Sequence, residues 1–275
     1  MNASSMVDSF AAYPPTLAGI CFDAYGSLFD LTPLLREIDE TLGDGAGSAF
    51  QQRLVTWTWH ATASQRWRPL DEIARHALAA CAVERSTRLT SEEARTLVSR
   101  LARLPLADGA LEAVRALAPA QLAVLSNGSR EGVTALVHNA GIAQQVAHLL
   151  GADEVQRFKP APQVYALPSV AFGVSSDRVL LVSANDWDVA GAAMAGLRTA
   201  WISGGRPQAR VLGVGADVVV ESLRELPDAL ADRGLIDFEP GGTTIPGRPH
   251  PPGTEYAGQD KVVADTFPAS DPPAY

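Results

Sequence analysis

The chain has 275 residues with 47% hydrophobic and 19% charged content, enough for one sizeable core and a smaller unit of an ordinary globular protein. A formal net charge of −9, with no basic tail or patch to neutralise phosphates, argues against nucleic acid as a partner. Two cysteines, Cys21 and Cys81, make no disulfide framework and suit a reducing cytoplasm; the first residues lack a secretory pattern and no apolar run approaches the roughly 18 residues of a membrane span, so a cytoplasmic protein is expected.

Residues 1–15, with Pro14 and Pro15, read as a flexible lead-in. The apolar run from Leu17 to Phe22 has the pattern of a strand buried on both faces of a parallel sheet. It stops at Asp23, and Ala24, Tyr25, Gly26 and Ser27 follow as a glycine-assisted turn. Residues 31–104 then change character. Four helices are expected there, near 33–42, 48–67, 70–82 and 90–102, carrying Trp57, Trp59 and Trp67 and forming a cap over the sheet edge.

From Pro105 helix and strand alternate. A helix capped by Asp108 runs to Leu117, a strand covers 121–125, and a helix over 130–139 is stopped by Gly141. A short strand at Leu149 and Leu150, a helix at 162–172, a strand at 179–182 and a helix at 188–195 follow, then strands at 199–202 and 217–220 and a closing helix at 222–231. Strands alternating with helices require right-handed crossovers, hence an α/β fold with a doubly wound parallel sheet. Residues 16–30 and 105–237 are expected to form the core domain, 31–104 the cap, and 238–275 a Gly/Pro-rich linker and tail with a short helical turn before Pro268.

Three further strand ends carry polar residues: Ser126, Asn127 and Gly128; Phe158, Lys159 and Pro160; and the run from Ser183 to Asp188. In a parallel sheet all of them share one edge with Asp23, the edge at which such sheets bind ligands. Singly, Ser126 and Asn127 are turn formers, and Asp23 and Asp188 helix caps. Four such ends together favour a site. Lys159 and Lys261 are the only lysines among 22 basic residues, so a lysine in the folded region points to a task for a compact ammonium that arginine does not perform.

The segments FDAYGSLFD, LSNGS, FKPAPQVY and VSANDWDVAGA resemble the four motifs of the L-2-haloacid dehalogenase branch of the haloacid dehalogenase superfamily, over residues 17 to about 235. That resemblance implies a Rossmann-like core with a helical cap inserted after the first strand. It implies hydrolysis of L-2-haloacids to 2-hydroxy acids, with inversion and without metal or cofactor, through an aspartyl ester on Asp23. In the same terms Lys159 binds the nucleophile and Tyr165 supports it. Ser183, Asn185 and Asp188 position Lys159 and the hydrolytic water, and Ser27, Ser126 and Asn127 hold the substrate carboxylate or orient Asp23. Tyr25, Gln51, Tyr165 and Trp187 complete the substrate site. The chemistry is sound: a carboxylate is a weak nucleophile that improves when desolvated beside a fixed cation.

Tyr25 stands where the superfamily's phosphatases carry a second aspartate, and Ala184 where they carry a metal-binding acid; Asp186 is the one substitute for a magnesium ligand. A magnesium-dependent small-molecule phosphatase is therefore one alternative, and a non-catalytic binding protein on this scaffold the other. Gln51, in FQQRLVTWTW, occupies the place of the family's arginine for substrate carboxylate and halide. An amide brings no charge, and a charge-assisted bond is worth roughly 1.5–3 kcal/mol. Arg53, Arg66 or His60 would serve in its place after a shift of the helix. The three cap tryptophans read first as packing and second as an apolar pocket. The expected partner is a small-molecule substrate, with no nucleic acid and no membrane; a homodimer is allowed. GDGAGS at Gly43 and GVGAD at Gly213 lack the context of nucleotide-binding loops, and the five histidines show no metal-ligand spacing.

Overall fold

Strand β1 (Gly19–Asp23) is buried along its whole length, as its uninterrupted apolar run requires. The computed structural model describes residues 16–207, 210–241 and 243–244; the lead-in of residues 1–15 and the turn expected before Pro268 lie outside the described residues. Around β1 stand β2 (Gln121–Ser126), β3 (His148–Gly151), β4 (Val179–Ser183), β5 (Arg198–Ile202) and β6 (Val218–Val220). The sheet order is β3-β2-β1-β4-β5-β6 with every pair parallel. Asp23 pairs with Leu125, and Phe22 with Val182. Asp23, Ser126 and Ser183 therefore end on one edge, where strand order reverses on either side of β1 and a crevice opens.

Four helices lie between β1 and the rest of the sheet: α1 (Thr32–Leu42), α2 (Ala46–Ala63), α3 (Leu70–Glu84) and α4 (Ser91–Ser99). They form the cap. In α1, Leu34, Ile38 and Leu42 recur at four-residue spacing and are buried. A capping box closes the start of α4, where Thr90 accepts from the Glu93 N–H and Glu93 reaches back. The sheet is flanked by α5 (Ala110–Ala116), α6 (Arg130–Asn139), α7 (Pro162–Phe172), α8 (Asp186–Met194) and α9 (Leu226–Asp232). Pro162 opens α7 and Gly173, in the left-handed region, closes it.

Because side chains alternate along β1, its two faces feed two cores. Ile20 and Phe22 join Leu34, Ile38 and Phe50 of the cap and Val133 of α6, while Cys21 packs with Val164, Tyr165 and Phe172 of α7. A third apolar cluster joins cap to sheet: Leu70 and Ile73 of α3 meet Ala152 and Phe158, flanked by Tyr25, Leu54, Trp57 and Trp67.

Some boundaries differ from expectation. Asp108 does not cap α5; Gly109 takes that position at φ 74° with no side-chain cap, and Asp108 is paired with Arg224 instead. Helix α8 begins at Asp186, which puts Asp188 in its first turn. The Gly/Pro-rich segment is ordered at its start: Phe238 is buried, and β7 (Phe238–Glu239) pairs antiparallel with β8 (Thr243–Thr244). Among the described residues no helix is long and apolar enough to cross a membrane.

The cap depends on one close approach. Gly47 lies in the first turn of α2, where its N–H donates to Asp39 Oδ1 at 2.7 Å and a Cβ would overlap the carbonyl of Leu35 on α1. Gly47→Ala is expected to lower stability by about 1–3 kcal/mol, read as a lower urea midpoint. An unchanged midpoint would mean that α1 and α2 separate freely.

Candidate active site

Asp23, only 6% exposed, closes β1. Its backbone C=O accepts from the Leu28 N–H at 3.1 Å, and the Ala24 C=O from the Phe29 N–H at 3.0 Å. This folds the chain back, with Gly26 at a φ of 77° that favours glycine. Ser27 is thereby brought round so that its Oγ donates to Asp23 Oδ2 at 2.7 Å. The same oxygen accepts from Asn185 Nδ2 at 3.0 Å and from Ser183 Oγ, at the end of β4, at 3.3 Å.

The other oxygen is differently placed. Asp23 Oδ1 accepts from Lys159 Nζ at 2.8 Å and from no other side chain among the described residues. Lys159 Nζ also donates to Asp188 Oδ2 at 3.1 Å, and Asp188 Oδ1 accepts from the Tyr165 hydroxyl at 2.7 Å. Lys159 is 1% and Asp188 0% exposed, so this is a buried ion triad. Such a cluster is tolerable only when hydrogen bonds complete the pairing, and here each carboxylate oxygen has a donor.

Burial alone would lower the Lys159 pKa, but Asp188 and Asp23 outweigh it and hold the amine above the ordinary lysine range. Burial raises Asp188, outweighing the opposite pull of Lys159. Burial also raises Tyr165 well above an ordinary phenol, and pushes Tyr25 up to about 12. Both phenols stay protonated at neutral pH, so the Tyr165 hydroxyl serves as a donor.

Seven expected residues thus meet in one network: Asp23, Ser27, Lys159, Tyr165, Ser183, Asn185 and Asp188. Their partners differ from those expected. Ser183 and Asn185 contact Asp23, not Lys159. Tyr165 reaches Lys159 only through Asp188. Asn127 Oδ1 accepts the backbone N–H of Lys159 at 2.8 Å, and its side chain makes no hydrogen bond to Asp23 among the described residues. Ser126 Oγ accepts from the Gly128 N–H at 2.9 Å and lies beside the Tyr25 hydroxyl.

Trp187 and Gln51 stand outside the network. Trp187 meets Trp59 of the cap edge-on, with centroids 5.6 Å apart. Gln51 is half-buried on α2 and has no side-chain partner among the described residues. Arg53 does not replace it, because Arg53 binds Glu84 and Cys81 Sγ. Trp67 stacks on Phe158 at 4.5 Å, and Trp57 packs against the same cluster, so all three cap tryptophans sit at the joint with the core.

Sequence reasoning missed three supporting residues. Trp201 Nε1 and Arg206 Nη2 donate to the Ala184 C=O at 3.3 and 2.8 Å, and the Ala184 N–H donates to Ser27 Oγ at 2.9 Å, which pins the loop carrying Ser183 and Asn185. Thr62 Oγ1, on α2, accepts the Phe158 N–H at 3.0 Å. Only Trp201 had a signal, its place near the end of a strand at the same edge.

A magnesium ion, as used by the superfamily's phosphatases, would need a second carboxylate beside Asp23 around an open position. The buried carboxylate beside Asp23 is Asp188, and both are already paired with the Lys159 ammonium. Ala184 offers no oxygen ligand from its side chain, and Asp186 Oδ1 turns back to the Trp187 N–H at 2.7 Å. Among the described residues no three His, Cys, Asp or Glu side chains converge. The residues do not fit the ion.

An apolar strand ending in a nucleophile-like carboxylate, a lysine at a third strand end and a helical insert define a haloacid dehalogenase-type hydrolase core. The family of haloacid dehalogenase-like hydrolases matches residues 17–196, and the chain belongs to it. It is 32% identical to the (S)-2-haloacid dehalogenase of Pseudomonas sp. strain YL, over 76% of this chain and 92% of that enzyme. It is 31% identical to haloacetate dehalogenase H-2 of Moraxella sp. strain B, over 68% of this chain and 86% of the other. It is also similar to a solved structure of the L-2-haloacid dehalogenase from Xanthobacter autotrophicus with chloropropionic acid covalently bound, with a TM-score of 0.73 and 26% identity over 79% of this chain and 99% of that one.

The triad sets a pH dependence. Because the folded pKa of Lys159 is raised, its stabilisation is fully present below the ordinary lysine value of about 10.4 and is lost as pH rises from there through the raised value. Lys159→Met is expected to cost about 3–5 kcal/mol at neutral pH by leaving buried carboxylates unpaired. Urea midpoints should keep that gap constant from pH 7 to about 10. A gap that narrows within this window would contradict the raised value.

Proposed function

We propose that the chain is an L-2-haloacid dehalogenase in which Asp23 is the nucleophile. The observation that carries this reading is the unequal treatment of its two oxygens. Oδ2 is held by three donors, whereas Oδ1 meets only the ammonium of Lys159. Oδ1 is the oxygen free to turn towards a substrate carbon while Oδ2 keeps the carboxylate in place.

Oδ1 attacks the carbon bearing the halogen from the face opposite the leaving group. A C–O bond forms, the C–X electron pair departs as halide, and the configuration inverts. Charge balance favours this step: the halide removes the negative charge that Asp23 loses, and Lys159 with Asp188 remains as a neutral pair. Oδ2 is now the carbonyl oxygen of an ester. Ser27, Ser183 and Asn185 surround it with donors, the arrangement needed to stabilise the oxyanion formed when water attacks Cγ.

The ester then breaks between Cγ and the substrate oxygen. One water proton goes to the hydroxy acid and the other passes through Asp188, a base strengthened by burial, to solvent. Tyr165 positions Asp188. Residues 31–104 act as the cap over a core of 16–30 and 105–237. Gln51 supplies an amide where a guanidinium would clamp the substrate carboxylate, so weaker substrate binding is expected. Two buried free cysteines support a reducing, cytoplasmic setting.

The test compares chloride release from (S)-2-chloropropionate in EDTA with hydrolysis of p-nitrophenyl phosphate in magnesium. Chloride and (R)-lactate without phosphate release are expected. Phosphate release alone would overturn the proposal, and silence on both substrates would count against any turnover of this kind.

A further inference from the structure

The side chain of Lys159 is held by two carboxylates, but its backbone is held by two other side chains from different parts of the fold. The Lys159 N–H donates to Asn127 Oδ1 at 2.8 Å, on the loop after β2. One residue earlier, the Phe158 N–H donates to Thr62 Oγ1 at 3.0 Å, in the last turn of α2. The Phe158 ring is fully buried and stacks on Trp67, four residues beyond the end of α2 at Ala63, with centroids 4.5 Å apart and planes 25° from parallel. The same ring belongs to the cluster that joins Leu70 and Ile73 of the cap to Ala152 of the core. The cap therefore grips the peptide immediately before the lysine by a hydrogen bond on one side and an aromatic stack on the other.

Resting on the dehalogenase reading, we infer that Thr62 is a positioning residue of the reaction: it ties the seat of the cap to the placement of Lys159, so that the ammonium is aligned on Asp23 only while α2 is docked. A threonine hydroxyl in a helix commonly turns back on its own helix carbonyls, as Thr56 does to the Gln52 C=O. Thr62 instead gives an oxygen lone pair to a residue 96 positions away. With the cap lifted, the Phe158 N–H loses its acceptor, and of the two side chains that hold the backbone here Asn127 alone remains. Substrate would then meet an aspartate with a misplaced counter-charge, and turnover would await closure. The effect belongs to kcat, since the Thr62 hydroxyl is engaged with backbone and not with substrate.

The test uses the full chain with Thr62→Val, which keeps the shape and removes the acceptor, and Thr62→Ser, which restores it. With (S)-2-chloropropionate, Thr62→Val should lower kcat about five- to tenfold with KM within about twofold, and Thr62→Ser should return kcat to near the wild-type value. Equal loss in both variants, an unchanged kcat, or a KM that carries the whole effect would overturn the inference.

Two readouts do not need turnover. Lys159 and Lys261 are the only lysines, so carbamylation by cyanate can be measured for Lys159 as a ratio to Lys261, and this ratio should rise severalfold in Thr62→Val and not in Thr62→Ser. Exchange of the Phe158 amide in the wild-type protein should be slow, and loop-like exchange would overturn the inference even if Thr62→Val failed to fold. A wild-type protein that releases no chloride would instead count against the dehalogenase reading, leaving these two readouts to decide whether the cap holds Lys159.

Discussion

An ammonium withdrawn from water has to be matched by negative charge close by, and the placement of Lys159 satisfies this with Asp23 on one side and Asp188 on the other. Much of the sheet edge is arranged to keep that match. Tyr165 fixes Asp188 from behind, and Gly191 leaves room for it, since a Cβ there would come within 2.7 Å of the Tyr165 hydroxyl. Burial of the triad is costly in itself, and a hydrophobic replacement of all three groups could be as stable. Its retention makes sense as chemistry: a stripped carboxylate beside a fixed cation is a better nucleophile than one in water.

The two oxygens of Asp23 divide the work because they face different elements. The turn after β1 and the end of β4 converge on Oδ2, whereas Oδ1 looks towards Lys159, which enters from the segment before α7. A parallel sheet makes this convergence natural, since every strand delivers its last residue to one edge. The cap closes the arrangement from above through Thr62, Trp67 and the Trp59–Trp187 pair.

Much of the fold was legible in the sequence where local chemistry and burial agreed. Pro162 and Gly173 delimit α7 as expected, and the apolar runs of β1, β2 and β4 appear as buried strands. Boundaries slipped where several residues could perform the same local task. The run from Ser183 to Asp188 holds several cap formers, and the helix began two residues early; at Asp108 the salt bridge to Arg224 won over capping. The strand ends of the site were visible as polar residues after apolar runs, but their partners were not. Whether Ser183 and Asn185 bond Asp23 or Lys159 depends on contacts spanning about 160 positions, fixed by the turn at Gly26 and by Trp201 and Arg206. Thr62 left no mark in the sequence, since nothing local distinguishes it from the other threonines of α2.

Covalent attack by the Asp23 carboxylate is the step on which the chemistry rests, and it leaves an isotopic trace. A single turnover with excess enzyme in heavy-oxygen water, followed by mass analysis of the peptide containing Asp23, reads it directly. Attack through an aspartyl ester predicts that this peptide gains the heavy isotope while the hydroxy acid carries ordinary oxygen from the carboxylate. Product that carries the heavy oxygen, with an unlabelled Asp23 peptide, would show that water attacks the substrate itself and would contradict the proposed role of Asp23.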